Sequence, residues 1–192
     1  MDRQRGQTLL ELMVVLAVIG MFSMIGIYAA DAGMRQASLL GGTSELRAVF
    51  HEARMLAVAR DRNIGIKFHD VGDTWTWTLY EDGDGDGVLS GDIKKKIDRP
   101  LGRPRRFDHS PAVIGVPSYD VPDPLKPGAL LASRAAVRFG NSTLCSFSRQ
   151  GEATNGSVAL TDGTRATIIR VHGRTGRIDV YRWDGKKWRV GE

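Results

Sequence analysis

From Leu12 to Ala30 the chain carries no charged residue, and this stretch of about 19 residues is close to the roughly 20 needed to cross a bilayer as a helix. A short basic leader with Arg3 and Arg5 precedes it, and a single acid, Glu11, stands at its head. A carboxylate carried deep into lipid costs about 2.5–3.5 kcal/mol or more. Residue chemistry leaves two places for Glu11: the membrane interface, where its head reaches water, or a partner inside an assembly, such as the N-terminal amine of a neighbouring chain. The pattern changes after the span. From Ser44 to Arg60 the apolar positions Leu46, Val49, Phe50, Ala53, Leu56 and Ala57 follow i, i+3, i+4, i+7 spacing on one face, which predicts an amphipathic helix. Thr43 or Ser44 is placed to cap its start, and Gly41-Gly42 either interrupts the helix or loosens it. Run without a break from about Gln7 to Arg60, the helix would be roughly 80 Å long.

Beyond Asn63 the period falls to two. Ile64–Phe68, Thr74–Tyr80, Ala135–Phe139, Thr143–Phe147, Ser157–Leu160, Thr167–Val171, Ile178–Trp183 and Lys187–Val190 read as strands. All seven prolines fall between Pro100 and Pro127, a stretch that reads as loop or edge structure. The expected fold is α+β: a long N-terminal helix, transmembrane over about residues 9–30 and amphipathic in its second half, laid on an antiparallel β domain of two sheets. The expected division is a short basic leader over residues 1–6, its end implied by the resemblance described below, a helix over 7–61 and a globular domain over 62–192.

Composition adds little constraint. The 192 residues have a net charge of +5 and a pI near 9.6, enough to attract an anionic partner and equally accounted for by solubility. The single cysteine, Cys145, has no His–Asn or His–Asp setting near it and reads as a small buried apolar residue. No zinc spacing, phosphate-binding loop or nucleophile elbow is present, and His51, His69, His109 and His172 are scattered, so the chain reads as a substrate of enzymes and not an enzyme. Ala30-Asp31-Ala32 resembles a signal-peptide cleavage site, but the apolar run exceeds the usual 7–15 residues and Glu11 heads it. The two leader arginines predict a cytoplasmic N-terminus and a periplasmic domain.

The stretch Gly6-Gln7-Thr8-Leu9-Leu10-Glu11-Leu12, continued to Gly20, resembles the class III signal of type IV prepilins and type II secretion pseudopilins. The resemblance implies cleavage after Gly6 by prepilin peptidase, N-methylation of Gln7, and use of Glu11 to recruit and register the subunit against other pseudopilins or pilins. Gln7 stands where that family usually has Phe, and the span lacks the Pro that many major pilins carry. Further on, Phe147-Ser148-Arg149-Gln150-Gly151, Asn155-Gly156 and Thr175-Gly176-Arg177-Ile178 are similar to the F-x-x-x-G, N-G, G-R succession of the GspH/FimT branch. That implies a minor pseudopilin in a filament anchored in inner-membrane lipid, serving either a type II secretion system or a type IV pilus.

Two other constellations carry chemistry. In Asp82-Gly83-Asp84-Gly85-Asp86-Gly87-Val88-Leu89-Ser90-Gly91-Asp92, alternate carboxylates and a Gly match the opening of a calcium loop, with Asp82, Asp84, Asp86, the Val88 carbonyl and Ser90 as ligands. Ile93 occupies the place of the usual bidentate Glu, and Asp92, one residue early, is the sixth candidate ligand, substituting for it with altered geometry. A solvated Asp-Gly turn countered by Lys94, Lys95 and Lys96 explains the same residues. The C-terminal hairpin holds Arg165, Arg170, Arg174, Arg177, Arg182, Lys186, Lys187 and Arg189 with Trp183 and Trp188, a composition suited to nucleic acid. FimT-like minor pilins are associated with DNA capture through Gly-Arg-x-Arg. Here Asp179 stands where the second Arg of Gly176-Arg177 would be, which leaves Arg174 and Arg177 as the alternative nucleic-acid residues. Plain strand alternation, with Trp and Val inside and Arg and Lys outside, is the competing account.

Overall fold

The computed structural model describes residues 9–191 and divides the chain into two compact units, Met1–Ala37 and Ser38–Glu192. Helix α1 is assigned from Leu9 to Arg60, 52 residues. In the first unit the apolar side chains that are described, among them Leu16, Ile19, Phe22 and Tyr28, are exposed. By length and composition this is a helix able to cross a membrane.

In the second unit the predicted face of α1 is buried. Leu46, Phe50, Ala53 and Ala57 have no exposed surface, Val49 has almost none, and Leu56 is half-buried at the edge of the same core. Leu39 joins them one turn before the expected helix start. The glycine pair neither interrupts nor loosens the helix. At Gly42 a Cβ would lie 2.5 Å from the ring of Phe107, and at Gly41 it would lie 3.2 Å from the His109 ring, so the pair opens space for the loop that crosses α1. Thr43, expected as a cap, is buried in mid-helix. Its hydroxyl donates to the Leu39 carbonyl at 2.6 Å, the usual solution for a Thr with no helix start to cap.

The β domain consists of two antiparallel sheets. The first has β1 (Ile64–Asp70), β2 (Trp75–Glu81), β3 (Arg99–Pro100), β4 (Arg105–Arg106) and β7 (Leu144–Phe147), in the order β3-β2-β1-β7 with β4 also on β2. The second has β5 (Val113–Ile114), β6 (Val137–Phe139), β8 (Gly156–Thr161), β9 (Ala166–Val171), β10 (Ile178–Trp183) and β11 (Trp188–Gly191), in the order β11-β10-β9-β8-β5 with β6 also on β8. The chain therefore changes sheet at β5, returns with β7 beside β1, and closes with a four-strand meander. A short helix, α2 (Ser90–Lys95), stands where no helix was expected. The proline-rich stretch supplies three two-residue edge strands, β3, β4 and β5.

Both sheets and α1 share one core. Phe50 of α1 lies 6.0 Å from Phe68 of β1 and 5.9 Å from Phe139 of β6, ring centre to ring centre, and Phe68 and Phe139 stack at 6.2 Å. Three aromatic side chains thus join helix, first sheet and second sheet. Alternation along β8–β10 puts Val158, Leu160, Ile169, Val171, Ile178 and Val180 on this core. The intervening residues Ala159, Ala166 and Ile168 build a second core with Val121 and Leu131, against which Tyr181, Trp183 and Trp188 pack. The proline-rich segment thus covers the outer face of the second sheet. Trp183 and Trp188 face this second core, and Val190, expected inside, is exposed at the sheet edge.

The glycines carry opposite expectations. Gly42→Ala forces Phe107 to move and should lower stability by about 1–2 kcal/mol, overpacking outweighing the gain in helix propensity. Gly91→Ala on α2 meets nothing within 4 Å and should be neutral or stabilising by up to about 1 kcal/mol. Thermal melts of the two variants in detergent compare them directly; a Gly42→Ala protein as stable as the parent contradicts the packing role.

Candidate functional site

The functional features fall in three places: the first turn of α1, the Asp-Gly loop, and the C-terminal hairpin. Gly6 and Gln7 lie outside the described residues. Glu11 lies near the start of the described part of α1. From Leu9 to Ala30 it is the one acid in the sequence; the next on α1 is Asp31, paired with Arg35 at 2.8 Å.

The Asp-Gly loop follows β2 and is organised by two acids that point inward. Asp82 is buried, and its Oδ1 accepts the backbone N–H groups of Asp84 (3.2 Å) and Gly85 (2.7 Å). Its Oδ2 accepts from Gly87 N–H (2.9 Å) and Asn63 Nδ2 (2.6 Å). Burial pushes the Asp82 carboxyl up, but the bonds from Asn63, Gly85, Gly87 and Asp84 outweigh it and hold the group below the ordinary carboxylate value. Gly85 and Gly87 have φ of 93° and 106°, so the chain needs glycine at both to wrap around the carboxylate. The second acid, Asp98, was missed in the sequence. It is buried, and its two oxygens accept from Gly83 N–H (3.2 Å) and Leu89 N–H (2.9 Å), closing the loop from its far end. An isolated Asp after Lys94-Lys95-Lys96-Ile97 carries no periodic or motif signal.

Carboxylate oxygens of Asp82, Asp84 and Asp86 lie within 4.8 Å of one another. The Asp86 carboxyl is raised, by desolvation, by its hydrogen bond with Asp84 and by repulsion from Asp84, Asp92 and Asp82. Three of the six expected calcium ligands therefore converge. The others have further engagements. Val88 is buried, packed where Gly65 leaves no Cβ; Ser90 Oγ accepts from Lys67 Nζ at 3.2 Å; and Asp92, in the first turn of α2, pairs with Lys95 at 3.2 Å. Lys95 is the counter-charge that the simple turn reading expected, now placed by a helix.

In the C-terminal hairpin Arg177 is paired with Asp179 at 2.8 Å, and His172 Nε2 meets the same carboxylate oxygen at 2.8 Å. Arg174 is exposed in the turn between β9 and β10. Trp183 and Trp188 have ring centres 5.5 Å apart, and Trp188 Nε1 donates to the Pro122 carbonyl at 2.7 Å. Both rings are half-buried in packing, which fits strand alternation better than base stacking. Cys145 is fully buried, and burial pushes its thiol well above the usual range, which keeps it protonated.

Two glycines of the C-terminal resemblance, Gly151 and Gly176, meet in space. A Cβ at Gly176, where φ is 57°, would lie 2.2 Å from the Gly151 carbonyl, and the guanidinium of Arg54 on α1 lies beside both residues. A Cβ at Gly156 would lie 2.3 Å from the Arg138 carbonyl, so the β6–β8 pairing also depends on a missing side chain. The sequence pattern is therefore a packing device that seats two turns against the helix.

Comparison with family models gives two matches. Residues 1–27 match the prokaryotic N-terminal methylation motif, and residues 42–176 match the type II transport protein GspH. Neither curated proteins nor solved structures give a match. The second match covers more than half of the chain and includes the buried helix face from Leu46, the first sheet, strands β5, β6, β8 and β9 of the second, and the glycine contacts described above. The chain belongs to the GspH family of type II transport proteins, pilin-like minor pseudopilins with an N-terminal methylation motif.

Proposed function

We propose that the protein is a structural subunit of an inner-membrane-anchored filament, built by a type II secretion system or a type IV pilus, and that Glu11 sets its place there. The supporting observation is the pairing of two features on one helix: a methylation-motif start with a lone acid, and a second half buried in a GspH-type domain. In this reading prepilin peptidase cuts after Gly6 and methylates Gln7, with the N-terminus cytoplasmic. The exposed apolar residues from Leu9 to Met34 pack on lipid and then on other pseudopilins or pilins. The β domain stands in the periplasm. Glu11 pairs with the N-terminal amine of a neighbour, since a carboxylate in an apolar bundle requires a cationic partner.

A second reading concerns the loop. The convergence of Asp82, Asp84 and Asp86 and the raised Asp86 carboxyl favour a structural calcium ion held there with the Val88 carbonyl. A bound cation would remove the mutual repulsion of the three acids.

Each reading has its test. Glu11→Ala should leave membrane insertion and leader removal intact and abolish co-purification with neighbouring subunits; normal co-purification contradicts the assembly role. For the loop, 10 mM calcium should raise Tm by a few degrees, as expected for a site with Kd on the order of 0.1–1 mM. Asp84→Asn with Asp86→Asn should remove that rise, whereas an unchanged Tm in the parent protein rules the site out.

A further inference from the structure

The register of the second sheet sets Arg138 of β6, Ser157 of β8 and Arg170 of β9 side by side across three strands. Their neighbours Val137, Phe139, Val158, Ile169 and Val171 face the core shared with α1, so this row lies on the opposite face. Arg134 reaches the row from the proline-rich side. Its Nη1 donates to both oxygens of Asp123, at 2.9 and 2.8 Å, and its Nη2 donates to Ser157 Oγ at 2.6 Å. Asp123 is buried and also accepts the Leu125 N–H at 2.8 Å. The one acid of the site is thus matched by one arginine.

Arg138, Arg170 and Lys126 remain. None of them forms an ion pair among the described residues. Arg138 Nε is anchored on the Gly140 carbonyl and Arg170 Nη2 on Asn155 Oδ1, each at 3.2 Å, which positions the two guanidinium groups without neutralising them. Asp179, across from Arg170 on β10, is already held by His172 and Arg177. These groups line a cleft of about 390 Å³ together with Ser133 and Asn155. The two arginines stand on strands two spacings apart, about 10 Å between backbones, and the acid of the cleft, Asp123, is taken by Arg134.

We propose that this cleft binds an acidic peptide segment, with Asp or Glu carboxylates taken by Arg138 and Arg170 and Lys126 at the rim. Guanidinium forks match carboxylates two bonds at a time, and the serine and amide beside them add polar contacts. Nucleic acid fits less well. No aromatic side chain lines the cleft, whereas single strands are held by stacking as well as by phosphate contact. The proposal goes beyond filament membership and holds or fails independently of it.

The test uses the full-length protein in neutral detergent and fluorescein-labelled hexaglutamate, read by anisotropy. Arg138→Gln with Arg170→Gln should weaken binding about tenfold or more. Lys186→Gln with Lys187→Gln removes the same charge from the β10–β11 turn and should change affinity by about twofold at most. Arg138→Lys keeps the charge but loses the fork; it should weaken binding about threefold or more and serves if the double variant fails to fold by its melting curve. Absence of binding to the parent protein, equal losses in the two double variants, or unchanged affinity in Arg138→Lys would overturn the proposal. So would a labelled thymidylate hexamer that binds as tightly as the peptide.

Discussion

The contact of Phe50 with Phe68 and Phe139 is the interaction on which the rest of the structure depends. It is the point where the helix meets both sheets, and all three rings are almost fully buried. Each such side chain contributes about 1.5–3 kcal/mol by burial alone, and truncating one typically costs about 3–5 kcal/mol. More is at stake than stability. In a filament subunit the helix serves two environments: an exposed apolar first part to pack on other molecules, and a second part locked to its own domain. Phe50 and its neighbours form that lock between the second half of α1 and the β domain.

Glycines make the lock possible. Gly42 lets Phe107 lie across the helix, Gly176 lets one turn sit on Gly151, and Gly156 lets β6 pair closely with β8. These are places where a missing side chain brings two backbones or a backbone and a ring together. The family pattern of the C-terminal half is therefore intelligible as geometry: its glycines hold the strands and turns that close over α1. The proline-rich segment plays the complementary role on the other face, covering Ile168, Trp183 and Trp188 and bringing Asp123 and Arg134 to the second sheet.

Much of this was legible in the sequence because it rests on period. The i, i+3, i+4 pattern gave the buried face of α1 from Leu46 to Ala57, with Leu56 at the edge and Leu39 and Thr43 added before it, and two-residue alternation located every strand of more than two residues. What lacked a period was not legible. The strands β3, β4 and β5 are too short to alternate, and α2 is too short to show a face. Asp98 is a single acid whose role depends on a loop folding back to it. The pair Gly41-Gly42 reads as a weak point in a helix because propensity counts only the glycine and not the ring that fills its space. In the loop, Asp82, Asp84 and Asp86 do converge, whereas the lysine contacts of Ser90 and Asp92 follow from α2 and β1 positions that spacing alone does not reveal.

Assembly would depend on the first residues of the mature chain, because cleavage after Gly6 is what would turn a membrane-spanning precursor into a filament subunit. The mass of the N-terminal peptide of the protein purified from membranes tests this most directly. A peptide beginning at Gln7 and carrying one methyl group is the predicted result. A peptide beginning at Asp31 or Ala32 would mean ordinary secretion of a β domain without its anchor, and would contradict the assembly of this chain into a filament.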